Sequence, residues 1–170
     1  MSDNDLQSDL VSKDAIKASS LFVGQNPGFQ VLLDDLGIKM IAIPNRVDDR
    51  GSLSFFELDS DLPFDPQRIF TISNVPVGKK RGEHAHYKCQ QILVCLNGSC
   101  EIEIDSGTLK LKIVLDSPTV GIYFPPLLWA TLKLKNQFTT VLALASLKYD
   151  ELDYIRDYKE FLKMKAGIKE

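Results

Sequence analysis

The chain has 170 residues, enough for one domain with a sizeable core and too few for two comfortable ones. It is 44% hydrophobic and 25% charged with a formal charge of -3, which excludes a disordered chain and argues against broad binding to a nucleic-acid backbone. No apolar run approaches the roughly 20 residues of a membrane span, and the first residues lack the basic start and apolar centre of a secretory signal, so a cytoplasmic protein with no membrane or nucleic-acid partner is expected.

Residues 1–36 are polar with scattered apolar positions and form an N-terminal extension, separate from a main domain over 37–170. Within the extension a weak helix is expected around Leu10 to Ser20. A packed stretch follows around Phe22 to Leu33, broken by a turn at Asn26-Pro27-Gly28. From residue 37 to about 149 the chain repeats one theme, β-branched and aromatic runs separated by Gly, Pro, Asn or Asp. Runs at Ile41 to Pro44, Leu53 to Leu58, Arg68 to Val75, Gln91 to Leu96, Cys100 to Asp105, Leu109 to Leu115, Val120 to Phe124, Ala130 to Leu134 and Thr140 to Ser146 predict an all-β sandwich or barrel. The turn signals Asn97-Gly98-Ser99 and Asp105-Ser106-Gly107 flank Glu101-Ile102-Glu103-Ile104, whose strict alternation predicts two successive hairpins. The last segment, Tyr149 to Lys169, has apolar residues at helical spacing and predicts a helix that caps the barrel.

Cys89, Cys95 and Cys100 are odd in number and lie in apolar alternating sequence, so buried reduced thiols are expected rather than a disulfide framework. The strongest chemical signal is Gly82-Glu83-His84-Ala85-His86, which holds both histidines of the chain just before an expected strand. Residues i and i+2 of an extended segment share a face, so the two imidazoles point together, either into a barrel mouth or out to solvent. Two rings that titrate near neutral pH suit metal binding or proton transfer.

The stretch from Gly78 to Gln91, closed by Gly98, resembles the first motif of the cupins, and Gly121 to Ala130 resembles the second. Metal-binding cupins carry Glu and a further His where this chain has Gln91 and Ala130. A divalent transition metal normally takes three or four N, O or S ligands, and an amide with a methyl group completes such a set poorly. Acid–base work on an anionic substrate by the imidazole pair is the better fit.

A narrower resemblance follows from Asp49 to Leu53, Arg81 to His86, Gln91 to Ser99, Leu115 to Tyr123 and Tyr149 to Tyr158, in that order and spacing. Together they are similar to the dTDP-sugar 3,4-ketoisomerases, the WxcM-like cupins. That resemblance implies a homodimeric double-stranded β-helix (jelly-roll barrel) that needs no metal and no cofactor and acts on a dTDP-linked keto-deoxysugar. It implies His84 as the principal base and His86 as the group that relays or donates a proton. Arg50, Arg81, Gln91, Tyr123 and Trp129 are the implied substrate contacts. Two departures stand out: the family commonly has Trp-His where this chain has Trp129-Ala130, and an aromatic hydroxyl near Phe70-Thr71. A sugar-nucleotide-binding cupin without turnover, a metal-dependent cupin and a cupin-shaped epimerase are the competing readings.

Overall fold

The computed structural model describes residues 16–18, 27–58 and 62–167. Two sheets, antiparallel except where β1 runs alongside β9, face each other as a jelly roll. The six-stranded sheet has the order β1-β9-β8-β11-β6-β13 and the five-stranded sheet the order β2-β10-β7-β12-β5. In the first sheet the strands are β1 (Ile16–Lys17), β6 (Arg81–His86), β8 (Cys100–Asp105), β9 (Lys110–Leu115), β11 (Trp129–Leu134) and β13 (Tyr154–Ile155). The second contains β2 (Lys39–Ala42), β5 (Arg68–Ile72), β7 (Gln91–Asn97), β10 (Val120–Phe124) and β12 (Thr140–Ala145). A separate hairpin, β3 (Asn45–Asp48) with β4 (Gly51–Ser54), pairs with no other strand among the described residues and is exposed along its whole length. This all-β jelly roll is the fold class the sequence predicts.

Alternation explains the core. In β7 the inward residues Leu93 and Cys95 join Ile102, Ile104, Ile113, Ile122 and Val141 between the sheets, while Ile92 and Val94 face outward beneath Phe56, Leu62 and Phe64. Burying each such side chain contributes about 1.5–3 kcal/mol. Of the two predicted hairpins only β8–β9 is present, in the register Ile102↔Ile113; at Asn97-Gly98-Ser99 the chain instead crosses from the five-stranded sheet to the six-stranded one, so β7 and β8 do not pair. Cys89, Cys95 and Cys100 are buried free thiols, and burial pushes the Cys95 and Cys100 thiols up to about 11 and about 12.

Four further expectations are revised. The histidine pair lies inside a strand, β6, rather than just before one. The region around Pro27 is a helix, α1 (Pro27–Asp35), instead of a turn: proline is accommodated in a first helical turn, where no N–H partner is lost. Phe29, Leu32 and Leu33 of α1, with Ala18, are buried in the main core, so this part of the extension packs as one body with the barrel. Of the helix expected around Leu10 to Ser20, Ile16–Lys17 is instead a strand running parallel to β9, and most of the rest lies outside the described residues.

The fourth revision bears on function. The C-terminal run is no single helix: a 3-10 turn (Glu151–Asp153) leads into β13, and only Tyr158–Lys165 forms the helix α2. Aspartates punctuate it. Asp150 accepts from the Leu152 N–H and Asp157 from the Lys159 and Glu160 N–H groups, so each caps a new element. Phe161 of α2 is fully buried and packs against Trp129 and Tyr158 on the outer face of the six-stranded sheet.

Candidate active site

Strand β6 carries the chemistry, and a bulge aims it. His84 pairs with Ala130 and Gly82 with Thr131, so Glu83 is an extra residue opposite a single step of β11. Gly82 and Glu83 both have positive φ, and a Cβ on Gly82 would lie 2.6 Å from the Ala130 carbonyl oxygen, which only glycine avoids. Beyond the bulge His84 and His86 point into one pocket of about 110 Å³ between the sheets. Its floor is the top of the core, with Leu93, Phe124, Leu128 and Leu132 belonging to both. The loop from Pro125 to Leu128 is tied down by the Leu127 N–H, which donates to the His86 carbonyl at 2.8 Å.

The two imidazoles are held in defined tautomers. His84 Nδ1 lies 2.9 Å from the Gly82 carbonyl, which can only accept, so Nδ1 carries the hydrogen and Nε2 offers its lone pair. His86 Nδ1 lies 2.9 Å from an Asp153 carboxylate oxygen, and its Nε2 is 3.2 Å from the Gln91 amide nitrogen, which donates to it. His84 Nε2 therefore has a free lone pair, with no partner among the described residues, whereas that of His86 is engaged. The rings meet edge to face with centroids 4.9 Å apart. Burial holds both imidazoles below their ordinary pKa; the Gly82 carbonyl offsets part of this for His84 and the Asp153 carboxylate part for His86. Both rings are thus neutral bases near pH 7.

Asp153 reaches His86 because β13 pairs with β6, placing Tyr154 opposite His86 and Ile155 opposite Ala85. Its carboxylate is buried and also accepts from the Lys88 and Cys89 N–H groups at 2.7 and 3.2 Å. The His86, Cys89 and Asp153 donor atoms come within 4.8 Å of one another. The Asp153 oxygens are already committed to three donors, so this trio fits a hydrogen-bonded dyad better than a metal site. Ala130 offers a methyl where the cupin metal set needs an imidazole.

Of the expected site residues, His84, His86 and Gln91 come together at the pocket. Ala130 and Phe70, the two departures, also line it, so the positions are right and the donors are absent. The other four implied contacts lie elsewhere in the chain. Trp129 is on the opposite face of β11 from Ala130, edge-on to Tyr158 and tilted against Phe161. Tyr123 faces outward from β10, beside Phe64, and donates to Gln90 Oε1 at 2.9 Å. Arg81 is exposed at the start of β6. Arg50 sits at the tip of the β3–β4 hairpin with its side chain 85% exposed and paired with Asp48. Strand alternation accounts for the first two: family motifs mark positions along a strand, and a one-residue step changes the face.

The sequence reading missed Arg68, Asp153 and Tyr154. All three signals were legible in principle. Arg68 shares a face of β5 with Phe70 and Ile72 while Ile69 is 61% exposed, so the alternation points this charge inward. Asp153 and Tyr154 lay in a run too rich in aspartate for a helix interior.

The fold and this pocket define a cupin-type jelly roll that holds two imidazoles in one pocket, His86 buried and backed by a carboxylate and His84 half-buried beside it. Residues 36–166 match the family described as FdtA: WxcM-like, C-terminal, and the chain belongs to that family. It is 42% identical over 130 residues to the TDP-4-oxo-6-deoxy-alpha-D-glucose-3,4-oxoisomerase of Aneurinibacillus thermoaerophilus, covering 76% of this chain and 94% of that one. Among solved structures it is similar to the sugar 3,4-ketoisomerase QdtA of Thermoanaerobacterium thermosaccharolyticum in complex with TDP. The TM-score is 0.74 and the identity 35%, over 76% of this chain and 95% of that chain. It is also similar to a 3,4-ketoisomerase from Helicobacter canadensis, with a TM-score of 0.74 and 34% identity over 77% and 98% of the two chains. The chain is accordingly an isomerase of this family.

Proposed function

We propose that the chain converts dTDP-4-keto-6-deoxyglucose to a dTDP-3-keto-6-deoxyhexose, as a cytoplasmic homodimer that needs no metal or cofactor and serves deoxysugar biosynthesis for polysaccharides. The observation that carries this reading is the pair of neutral imidazoles in one apolar-floored pocket, His84 with a free Nε2 lone pair and His86 backed by Asp153.

The reaction moves a carbonyl one carbon along the ring through an enediol. His84 takes the proton from C3, because its Nε2 is the uncommitted base. His84 passes that proton to the adjacent His86, which delivers it to C4, and the Asp153 carboxylate 2.9 Å from the His86 ring stabilises the transient imidazolium, so both rings end neutral. The Gln91 amide keeps the His86 ring turned toward the pocket. The exposed hairpin supports the dimeric reading: Arg50 stands on a two-stranded arm that pairs with no further strand among the described residues, as an arm serving the pocket of a second copy would. Its guanidinium fork suits the diphosphate.

The test is NMR of dTDP-4-keto-6-deoxyglucose in deuterated buffer, with the wild type and His84→Ala. The 3-keto product and deuterium in the sugar ring are expected with the wild type alone. A folded wild type that binds the nucleotide but neither isomerises nor exchanges would be a binding protein for this sugar, and the proposal would fall.

A further inference from the structure

The proposed isomerisation needs more than a carbon base. As the C3 proton leaves, the C4 carbonyl oxygen becomes an enediolate, and a positioned hydroxyl that protonates it stabilises the transition state most directly. Position 70 offers only a phenyl ring and position 130 only a methyl, and both line the pocket. Another hydroxyl stands there. Tyr154 on β13 lies with its ring centroid 4.9 Å from His84 and 4.4 Å from His86. Its hydroxyl accepts a hydrogen bond from the Arg68 guanidinium at 3.3 Å, and both residues line the pocket. Among the described residues the hydroxyl donates to none, so its own proton remains for a ligand.

We infer that Tyr154 is a further catalytic residue, the acid that protonates the substrate's C4 oxygen, with Arg68 as its positioning cation; this rests on the ketoisomerase reading above. The proton count closes without any co-reactant. While His84 removes the C3 proton, the Tyr154 O–H bond breaks and its proton goes to O4, giving the neutral enediol. In the second half the C3 hydroxyl proton passes to the Tyr154 oxygen, the C3–O3 double bond forms, and C4 receives the carbon proton. Tyrosine and imidazoles end as they began.

Arg68 is built for the positioning role. Its guanidinium lies 4.4 Å from the Phe70 ring centroid and 5.4 Å from that of Tyr149, which hold the fork in place. Its charge stands beside the oxygen that becomes negative when the proton leaves. On its other side the Tyr154 ring is covered by Arg156, 4.4 Å from its centroid and held by Glu151. The phenol is therefore fixed without a second hydrogen bond that would consume its proton. Phe70 thus finds a use in this chain: where it supplies no hydroxyl, it supports the cation that serves one.

The experiment compares wild type, Tyr154→Phe and a protein with 3,5-difluorotyrosine at position 154, using isomerisation and ring deuterium exchange of dTDP-4-keto-6-deoxyglucose with calorimetric binding of TDP. Tyr154→Phe keeps the ring that packs on both histidines, so TDP affinity within about 3-fold of wild type and a kcat lower by about 100-fold or more are expected. The fluorinated phenol, which is more acidic at equal shape, should move the alkaline limb of the kcat profile to lower pH. A Phe variant with kcat within about 3-fold of wild type, or a limb unmoved by fluorine, overturns the assignment even if the Phe variant folds poorly. A wild type with no turnover and no exchange removes the ketoisomerase reading and this one with it, and so is distinguished from a failure of Tyr154 alone.

Discussion

Tyr154 lies directly opposite His86 across the β6–β13 pairing, and its ring stands 4.4 Å from the imidazole. The 3-10 turn that leads into this strand holds Asp153 at the back of that imidazole. One short turn-and-strand segment therefore supplies both the carboxylate that orients a histidine and the phenol that flanks it. The site depends on the C-terminal segment as much as on the histidine motif.

Asp153→Asn tests the dyad. An amide has one acceptor oxygen for three donors, the His86 Nδ1–H and the Lys88 and Cys89 N–H groups. It also removes the charge that stabilises the imidazolium. A kcat lower by about 100-fold is expected, with a stability loss of about 1–3 kcal/mol from the donors left unpaired. Steady-state kinetics and urea unfolding read the two effects separately. A variant with normal kcat would leave Asp153 a structural role only.

The pH dependence follows from the direction of the histidine shifts. Burial holds both folded-state values below the ordinary 6.5. Activity needs the neutral rings, so the acid limb of kcat/KM should have its midpoint below 6.5. Stability has a matching sign. As pH falls through the unfolded value the unfolded chain takes up protons that the native chain refuses, so stability declines from there down to the folded values and is flat above. Urea midpoints measured between pH 5 and 8 check this, and His84→Gln should flatten the decline. Loss of stability with rising pH instead would contradict the burial argument.

Much of this arrangement was legible in the chain, and the misses have physical causes. Alternation in Glu101-Ile102-Glu103-Ile104 fixes a hairpin because only one register buries both isoleucines. The histidine pair was legible because its spacing of two survives in any extended segment. Trp129 was misplaced because motif position says nothing about face until the strand's alternation is known, and Ala130, its neighbour, is the pocket residue. Tyr154 was missed because Leu152, Ile155 and Leu162 have helical spacing, whereas pairing with β6 overrides it: Ile155 is 1% exposed in a strand and Leu152 is 86% exposed.

Trp129→Ala separates packing from catalysis. Its indole meets Tyr158 and Phe161 beneath α2, away from the histidines. A stability loss of about 2 kcal/mol is expected, less than the ~3–5 of a fully buried aromatic because this one is half-buried. The kcat of the folded variant should stay within about 2-fold of wild type. Chemical unfolding and kinetics below the transition check both, and a large loss of kcat without a loss of stability would return the indole to the substrate pocket.

Subunit mixing decides where Arg50 acts. Arg50→Ala and His84→Ala should each be inactive as pure dimers if both groups serve one site. In a hybrid dimer whose hairpin reaches across, one pocket combines His84 of the first chain with Arg50 of the second and is intact, while the other carries both defects. Co-refolding the two variants in equal amounts makes half of the dimers hybrids with one working site each, so activity should recover to about a quarter of wild type. If Arg50 served its own chain, each hybrid site would carry one defect and mixing would recover nothing. Sedimentation of the mixture establishes that dimers are present, so a lack of recovery in true hybrids would place Arg50 outside the partner's pocket. A wild-type monomer would remove the cross-chain arrangement altogether, leaving the pocket of His84, His86 and Asp153 to act with the residues of a single chain.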